Sequence, residues 1–236
     1  MVQTWFTQKG YKRNPLHIEP LFSDDIFGYD LLLEELFEKT HDGSILFLEG
    51  NDSKTAILTK IVDKYRGNIR LAYVNCAQMG NEPNIYKLIT NGKKTLSVML
   101  KRIPKDMVVL LDNVSSLSTK NAERIKYLFD EGYLRSLIMT ARSYRECDIP
   151  DSIRHRIGRR LYTLRDLSDD ERIDIVLNRL GFPDFINESH LLKLAQKTKT
   201  TKELLQECDS LLFFMAGKNK HMMDDAIVSA YLQRRK

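Results

Sequence analysis

One stretch of the chain decides the fold, and it reads Ile45-Leu46-Phe47-Leu48-Glu49-Gly50-Asn51-Asp52-Ser53-Lys54-Thr55. Four apolar residues suited to a β-strand lead into a turn that contains a glycine, and the turn ends on Lys-Thr. Apolar residues then recur at helical spacing from position 57 to position 62. The stretch therefore predicts a strand, a loop and a helix in that order.

The loop in this stretch has the context of a phosphate-binding loop. In such loops backbone N–H groups and the helix N-terminus cradle phosphates, a lysine reaches their oxygens, and the next threonine holds Mg²⁺. The spacing departs from the usual pattern, because Gly50 lies four residues before Lys54 instead of six and Ser53 replaces a second glycine. Two backbone donors are thereby lost. An ordinary surface turn before a helix that begins with Lys-Thr is the alternative interpretation.

The alternation of strand and helix continues to about residue 165. Short apolar runs rich in β-forming residues are separated by segments with helical spacing, and these runs cover residues 45–48, 71–74, 107–111, 137–139 and 161–162. Near-continuous apolar strands separated by helices are typical of a parallel sheet covered on both faces. Residues 1–165 are therefore predicted to form a doubly wound α/β domain.

The pattern changes after Leu164, where no further strand-like run occurs. Ser168 and Glu171 have the spacing of a capping box, and Gly181 is a stop signal for the helix that follows them. Further helical stretches cover residues 188–198, 201–216 and 222–234. Residues 166–236 are therefore predicted to form a small all-helical domain.

A second candidate site feature follows the third predicted strand, which ends on Asp112-Asn113. The carboxyl ends of parallel strands are where ligands bind in open α/β sheets. Nucleoside triphosphatases (NTPases) place a Mg²⁺-binding aspartate there. A plain helix cap is the alternative interpretation of Asp112. Asn113 has no carboxylate, so it can position a water molecule but is a poor base.

Composition excludes several classes of protein. The chain has 236 residues, of which 42% are hydrophobic and 29% charged, as in ordinary globular proteins. Its longest apolar run, residues 211–216, is far shorter than the roughly 20 residues that span a membrane, and its N-terminus is too polar for a secretory signal. Three widely separated cysteines argue against a disulfide framework or a zinc site. We therefore expect a soluble, cytoplasmic protein without a membrane partner.

Together with four further motifs, these features identify a resemblance to the AAA+ ATPases, especially the origin-recognition initiators and clamp loaders. The motifs are Ile26-Phe27-Gly28-Tyr29-Asp30, Tyr73-Val74-Asn75-Cys76, Ser152-Ile153-Arg154-His155-Arg156 and Thr200-Thr201-Lys202-Glu203-Leu204. The resemblance covers nearly all of the chain. It implies a five-stranded parallel sheet in the order 5-1-4-3-2, followed by a helical lid.

The resemblance also implies roles for single residues. Mg²⁺ would be held by Thr55 and Asp112, and Asn113 would occupy the position of the catalytic glutamate. Thr140 stands at the position of the sensor that reads the γ-phosphate, Arg156 at the arginine finger and Lys202 at the second sensor. ATP or ADP would be bound by Lys202 and by the loop residues Gly50, Asn51, Asp52, Ser53, Lys54 and Thr55.

Three departures from the family pattern define the functional hypotheses: the shortened loop, Asn113 in place of glutamate, and Lys202 in place of arginine. The first hypothesis is a nucleotide-dependent switch or assembly subunit with weak binding and little hydrolysis, acting with other AAA+ or replication proteins. The second is a nucleotide-free scaffold, and the third is a competent ATPase. DNA contact, direct or through partners, is left open.

Two surface features complete the predictions. Residues 142–165 contain seven arginines and three acids, and we expect residues 142–160 to lie on an exposed face near a subunit boundary. Near the N-terminus, Trp5, Phe6 and Tyr11 lie beside basic residues. They are interpreted as pinning this segment to a core, with an arm that binds nucleic acid as the alternative.

Overall fold

The computed structural model describes residues 4–18, 26, 28–67, 70–78, 85, 89 and 105–234. Phe27 of the predicted opening motif lies outside these residues. The chain divides into two compact units, of which one is Pro20–Arg165 and the other combines Met1–Glu19 with Asp166–Lys236. The first is an α/β unit and the second is helical.

The α/β unit is built on one parallel sheet of five strands. Its strands are β1 (Ile45–Glu49), β2 (Leu71–Asn75), β3 (Met107–Asp112), β4 (Leu134–Ala141) and β5 (Leu161–Thr163). They lie in the order β2-β3-β4-β1-β5, and every neighbouring pair is parallel. This confirms the predicted order 5-1-4-3-2. The helices described in this unit are α2 (Asp30–Asp42), α3 (Lys54–Tyr65), α4 (Thr119–Asp130) and α5 (Asp151–Ile157).

Burial explains why the central strands are nearly continuous in apolar residues. All six residues of β3 are buried, as are seven of the eight residues of β4. A strand covered on both faces offers no solvent-facing position for alternate polar side chains. Two polar exceptions stand out, because Asp112 and Thr140 are 1% and 0% exposed at the carboxyl ends of these strands. Buried polar groups need partners, so both point to a local network.

The helical unit consists of α6 (Asp169–Leu180), α7 (Glu188–Ala195), α8 (Thr201–Gly217) and α9 (Asp225–Arg234), joined by the short N-terminal α1 (Trp5–Gln8). The predicted capping box is confirmed, since Ser168 and Glu171 exchange hydrogen bonds between side chain and backbone at the start of α6. The same helix ends at Gly181 in the left-handed conformation, as glycine there allows. Among the described residues, no helix is both long and apolar enough to cross a membrane.

The N-terminal segment packs in the helical unit, whereas the sequence analysis placed it in the α/β domain. Trp5 and Leu16 are buried in the same core as α6 and α8. The Trp5 indole Nε1 donates to Asp209 at 2.6 Å, and the Asn14 amide donates to the same carboxylate at 2.9 Å. The Tyr11 hydroxyl donates to the Leu180 carbonyl at 2.6 Å. The aromatic residues therefore anchor the segment, as the pinning interpretation expects.

Candidate functional site

The candidate site lies at the carboxyl edge of the sheet, where the four strands β2, β3, β4 and β1 end side by side. In the register of the parallel strands, Leu48 of β1 stands opposite Thr140 of β4, and Asn75 of β2 stands opposite Asp112 of β3. The loop between β1 and α3 begins directly after this edge. Parallel pairing therefore brings together residues that are far apart in the sequence.

The first loop residue must be glycine for steric reasons. Gly50 has a φ of 154°, and a Cβ atom built on it would lie 2.9 Å from the Leu164 Cβ and 3.1 Å from the Leu164 carbonyl oxygen. Its N–H donates to the Ala141 carbonyl at 3.3 Å. The loop thus leaves the sheet in close contact with the segment that follows β5.

The last loop residue, Ser53, is strained and has an unused hydroxyl. Its φ of 64° lies in the left-handed region, which a residue other than glycine occupies at a cost of about 1 kcal/mol or more. Its Oγ is buried and has no hydrogen-bond partner within the described part of the chain. A buried hydroxyl without a partner at the start of a helix is able to donate to a ligand oxygen.

Lys54 is the first residue of α3, and its side chain folds back over the loop. The lysine is only 9% exposed, and its Nζ donates to the carbonyl oxygen of Gly50. The loop is closed further by the Lys54 N–H, which donates to the Asp52 carbonyl at 2.8 Å. In this arrangement one of the three N–H donors of the ammonium group is bonded to a backbone carbonyl.

Asp112 is the centre of the site, because three hydroxyl groups donate to its carboxylate. Thr55 donates to Oδ2 at 2.8 Å, Tyr73 donates to the same oxygen at 3.0 Å, and Thr140 donates to Oδ1. These donors come from α3, β2 and β4. The sequence analysis singled out Thr55, Asp112 and Thr140, and the structure brings these three together.

Tyr73 was quoted in a motif, but its contact with Asp112 was not predicted, although the strand carries a signal. On β2, Ala72 and Val74 are buried in the core, whereas Tyr73 and Asn75 alternate with them and are only half-buried. Polar side chains two residues apart at a strand end share a face and reach the same edge. Burial, as the larger cause, and the neighbouring Asp112 raise the pKa of Tyr73 far above its ordinary value. The phenol therefore stays protonated and donates. Burial and Asp112 likewise raise the pKa of the Cys76 thiol to about 12, so the thiol is not reactive at neutral pH.

Asn113 follows Asp112 in the left-handed conformation, with a φ of 57°. Its backbone N–H donates to the Thr140 hydroxyl at 3.3 Å, and its side-chain amide donates to the Asn75 carbonyl oxygen at 3.2 Å. Asparagine is among the residues that accept this conformation most readily. Two hydrogen bonds therefore hold the residue beside Asp112, and its side chain is an amide, which does not act as a base.

The two arginines of α5 have different environments. Arg154 donates from Nε to the Ile149 carbonyl at 3.0 Å, donates from Nη2 to the Cys147 carbonyl, and stacks over the Tyr144 ring. Arg156 is exposed and pairs with Asp130. Arg142, Arg145, Arg156 and Arg159 are all exposed. That residues 142–160 form a basic face near a subunit boundary stays a prediction.

The remaining predicted residues have other surroundings in their own units. The Asn51 side chain accepts from Arg142 Nε at 3.1 Å, and the Asp52 carboxylate accepts from the Ser53 N–H at 3.0 Å. Lys202 is exposed in the first turn of α8, in the helical unit.

The donor set fits Mg²⁺, which prefers carboxylate and hydroxyl oxygens and is commonly held by one or two carboxylates together with phosphates. Asp112 and Thr55 provide such oxygens at a distance of 2.8 Å from one another. In the described ranges, no group of three or more His, Cys, Asp or Glu side chains is suited to hold a metal ion. A metal ion here would thus depend on phosphate and water for most of its ligands.

Comparison with known proteins gives a clear result for the fold. No protein-family model matches the sequence, and no curated protein matches it. Among solved structures, Orc1 of Aeropyrum pernix in complex with DNA superposes with a TM-score of 0.72 at 14% identity, over 98% of this chain and 69% of that one. The chain has the AAA+ fold.

Two further structures with the AAA+ fold are similar over most of the chain. Cdc6p of Pyrobaculum aerophilum superposes with a TM-score of 0.70 at 12% identity, over 93% of this chain and 70% of that one. A point mutant of RuvB from Thermotoga maritima superposes with a TM-score of 0.65 at 12% identity, over 92% of this chain and 73% of that one. At such identities the likeness carries the AAA+ fold to this chain and leaves its activity to be argued from the site.

Proposed function

We propose that this chain is a AAA+ module that binds ATP or ADP weakly with Mg²⁺, hydrolyses it little, and acts as a switch or assembly subunit in DNA replication or a related DNA transaction. The observation that carries the proposal is the Thr55–Asp112 hydrogen bond. It joins the hydroxyl and the carboxylate that phosphate-loop NTPases use to hold Mg²⁺. The replication context is supported by the likeness to Orc1 and Cdc6p.

Phosphate binding is supported by three features at the start of α3. The N-terminus of this helix offers backbone N–H groups and the positive end of its dipole. Lys54 adds a positive charge, and Ser53 adds a buried hydroxyl that has no partner among the described residues. These donors converge on one short loop, so a phosphate group is the ligand class that they suit.

Weak binding follows from the same loop. Because the loop is two residues shorter than the usual pattern, it has fewer backbone donors for the β-phosphate. Lys54 also donates to the Gly50 carbonyl, so fewer of its three N–H groups are left for phosphate oxygens. Each lost charge-assisted hydrogen bond costs about 1.5–3 kcal/mol, so two lost bonds weaken binding roughly 10²–10⁴-fold.

Little hydrolysis follows from Asn113. When bound, Mg²⁺ neutralises charge on the phosphates, but an attacking water must still lose a proton to a base. The Asn113 amide is a donor to Asn75, and it has no group that takes up a proton at neutral pH. We therefore expect binding without efficient turnover.

A role in assembly is supported by the exposure of Arg156, which lies in the predicted basic face of residues 142–160. Its ion pair with Asp130 lies at the surface, where such pairs contribute only about 0–1 kcal/mol. Arg156 is thus able to exchange Asp130 for a phosphate or carboxylate of a neighbouring subunit. Other AAA+ chains and replication proteins are the proposed partners, and DNA is a further candidate for this face.

Titration calorimetry with Mg·ATP tests the proposal on the full chain. We expect a dissociation constant near the millimolar range for the wild type and no binding by Lys54→Ala. Lys126→Ala is the matched control, because Lys126 pairs with Glu123 on the surface of α4 and should leave binding unchanged. Binding in the low micromolar range that Lys54→Ala abolishes would instead establish a competent nucleotide site.

A nucleotide-free scaffold is the second candidate, and one observation favours it. The Asp112 carboxylate already accepts three hydroxyl hydrogen bonds, so it is stable when buried without a cation. The absence of any heat with millimolar nucleotide, together with an intact fold, would establish this candidate.

A further inference from the structure

Of the three hydroxyl groups described as donors to Asp112, that of Tyr73 is the one that the proposed nucleotide site does not use. Thr55 and Tyr73 both donate to Oδ2 of Asp112, at 2.8 and 3.0 Å, while Thr140 donates to Oδ1. Each carboxylate oxygen has about two acceptor positions. Both positions on Oδ2 are therefore filled by hydroxyl groups.

The two hydroxyls on Oδ2 differ in where they lie relative to the loop. While Thr55 donates its proton, its oxygen keeps lone pairs, and the residue lies in the first turn of α3 beside the loop. Tyr73 extends from the neighbouring strand β2 and occupies the remaining position on Oδ2. A cation, or a water bound to it, that uses this oxygen has to take the position that Tyr73 holds.

We propose that Tyr73 is a positioning residue that holds Asp112 in a cation-free arrangement and thereby lowers the affinity of the site for Mg²⁺ with nucleotide. The inference rests on the proposed function, and it names Mg²⁺ as the ligand against which Tyr73 competes. Three hydroxyl bonds satisfy the buried carboxylate without a metal, so the cation-free state is stabilised. Removal of one hydroxyl leaves an acceptor position open for a cation.

The structure offers a clean variant for this test. Tyr73→Phe removes only the hydroxyl and leaves the ring on β2, and the loop residues and Thr55 stay unchanged. Tyr162→Phe is the matched control, because Tyr162 lies on β5 of the same sheet and its hydroxyl donates at 2.7 Å to another carboxylate, that of Glu35. Both variants lose a bond between a tyrosine and a carboxylate, but only one loses it at Asp112.

The experiment is titration calorimetry of ADP into wild type, Tyr73→Phe and Tyr162→Phe, each with Mg²⁺ and with EDTA. With Mg²⁺, we expect Tyr73→Phe to bind ADP on the order of tenfold more tightly than wild type. With EDTA, we expect the two proteins to bind ADP with the same affinity. Tyr162→Phe should match wild type in both buffers. Mn²⁺ in place of Mg²⁺, followed by electron paramagnetic resonance, gives a second measure of the metal retained at the site.

Each other outcome has a defined meaning. If Tyr73→Phe binds Mg·ADP more weakly than wild type, or with unchanged affinity, the competition is refuted while nucleotide binding stands. If none of the three proteins binds ADP in either buffer, the proposed function fails, and the inference fails with it. A thermal melt without nucleotide verifies that each variant is folded.

Discussion

The hydroxyl of Thr55 donates a 2.8 Å hydrogen bond to the carboxylate of Asp112 across 57 positions of sequence. The bond joins the first turn of α3 to the end of β3. Because α3 begins where the loop ends, the same bond fixes one side of the candidate phosphate loop to the sheet. The position of the loop thus depends on a carboxylate that is itself held by β2 and β4.

Thr140→Val should destabilise the protein more than its small change in volume suggests. The Thr140 hydroxyl is fully buried, donates to Asp112 and accepts from the Asn113 N–H. Its loss leaves buried polar groups short of partners, at a cost of about 1–3 kcal/mol. Thr163→Val, which removes an exposed hydroxyl that donates to Glu49, should cost less than about 1 kcal/mol. Urea unfolding of both variants measures the difference, and equal costs would contradict the central role of the network.

Gly50→Ala should disturb the loop through a clash with the backbone. The added Cβ would meet Leu164 at 2.9 Å, closer than such atoms approach, so the loop or the neighbouring segment has to move. We expect a loss of about 1–3 kcal/mol in the free energy of unfolding. Gly217→Ala is the control, because that helical glycine has open space around its Cβ position and the change should be neutral or slightly stabilising. A neutral Gly50→Ala variant would show that the contact with Leu164 is not restrictive.

Trp5→Ala should release the N-terminal segment from the helical unit. The indole is 4% exposed and donates to Asp209, so truncation loses both apolar burial and a hydrogen bond. A loss of about 3–5 kcal/mol is expected from burial of this size, measured by circular dichroism during denaturation. Phe213→Ala on α8 should cost within about 0.5 kcal/mol, because that ring is 65% exposed. Similar costs for the two truncations would mean that Trp5 does not anchor the segment.

Acid should remove the contribution of the Arg135–Asp106 pair. Arg135 Nε donates to Asp106 at 2.7 Å, and this hydrogen bond, together with the guanidinium charge, holds the pKa of Asp106 below its usual value. The folded-state pKa is lowered, so the contribution is complete above the unfolded-state pKa of about 3.9 and disappears as pH falls through the folded-state value.

Because this pair is partly exposed, Arg135→Met should cost at most about 1 kcal/mol at pH 7, and the difference from wild type should vanish towards pH 2. Urea unfolding at several pH values measures it. Arg145→Met, which removes an exposed arginine, is the control. If the loss of unfolding free energy on Arg135→Met does not change with pH, the lowered pKa of Asp106 is not its cause.

Sequence reasoning reached the fold and part of the site for identifiable reasons. Apolar runs in β3 and β4 and the polar residues that end them are local features, so the strands and the edge with Asp112 were predictable from the residues. The order of the strands was predicted from the resemblance to the AAA+ ATPases. Side-chain direction depends on tertiary packing, and therefore neither the return of Lys54 to the Gly50 carbonyl nor the reach of Tyr73 to Asp112 was foreseen. The docking of Trp5 beside Asp209 was missed for the same reason, because its partner is 204 positions away.

The placement of the N-terminal segment has a consequence for the order in which the chain folds during synthesis. Trp5 and Leu16 find their core only in helices that begin after position 166, whereas the α/β unit is complete at position 165. Domains fold as units as they emerge from the ribosome. We therefore expect the α/β unit to fold first, while the N-terminal segment around Trp5 is still undocked. Pulse proteolysis of stalled chains measures this, since chains that end near position 200 should protect the sheet and leave the segment around Trp5 open to cleavage. The helical unit is therefore expected to fold last, once the helices after position 166 are available to the segment around Trp5.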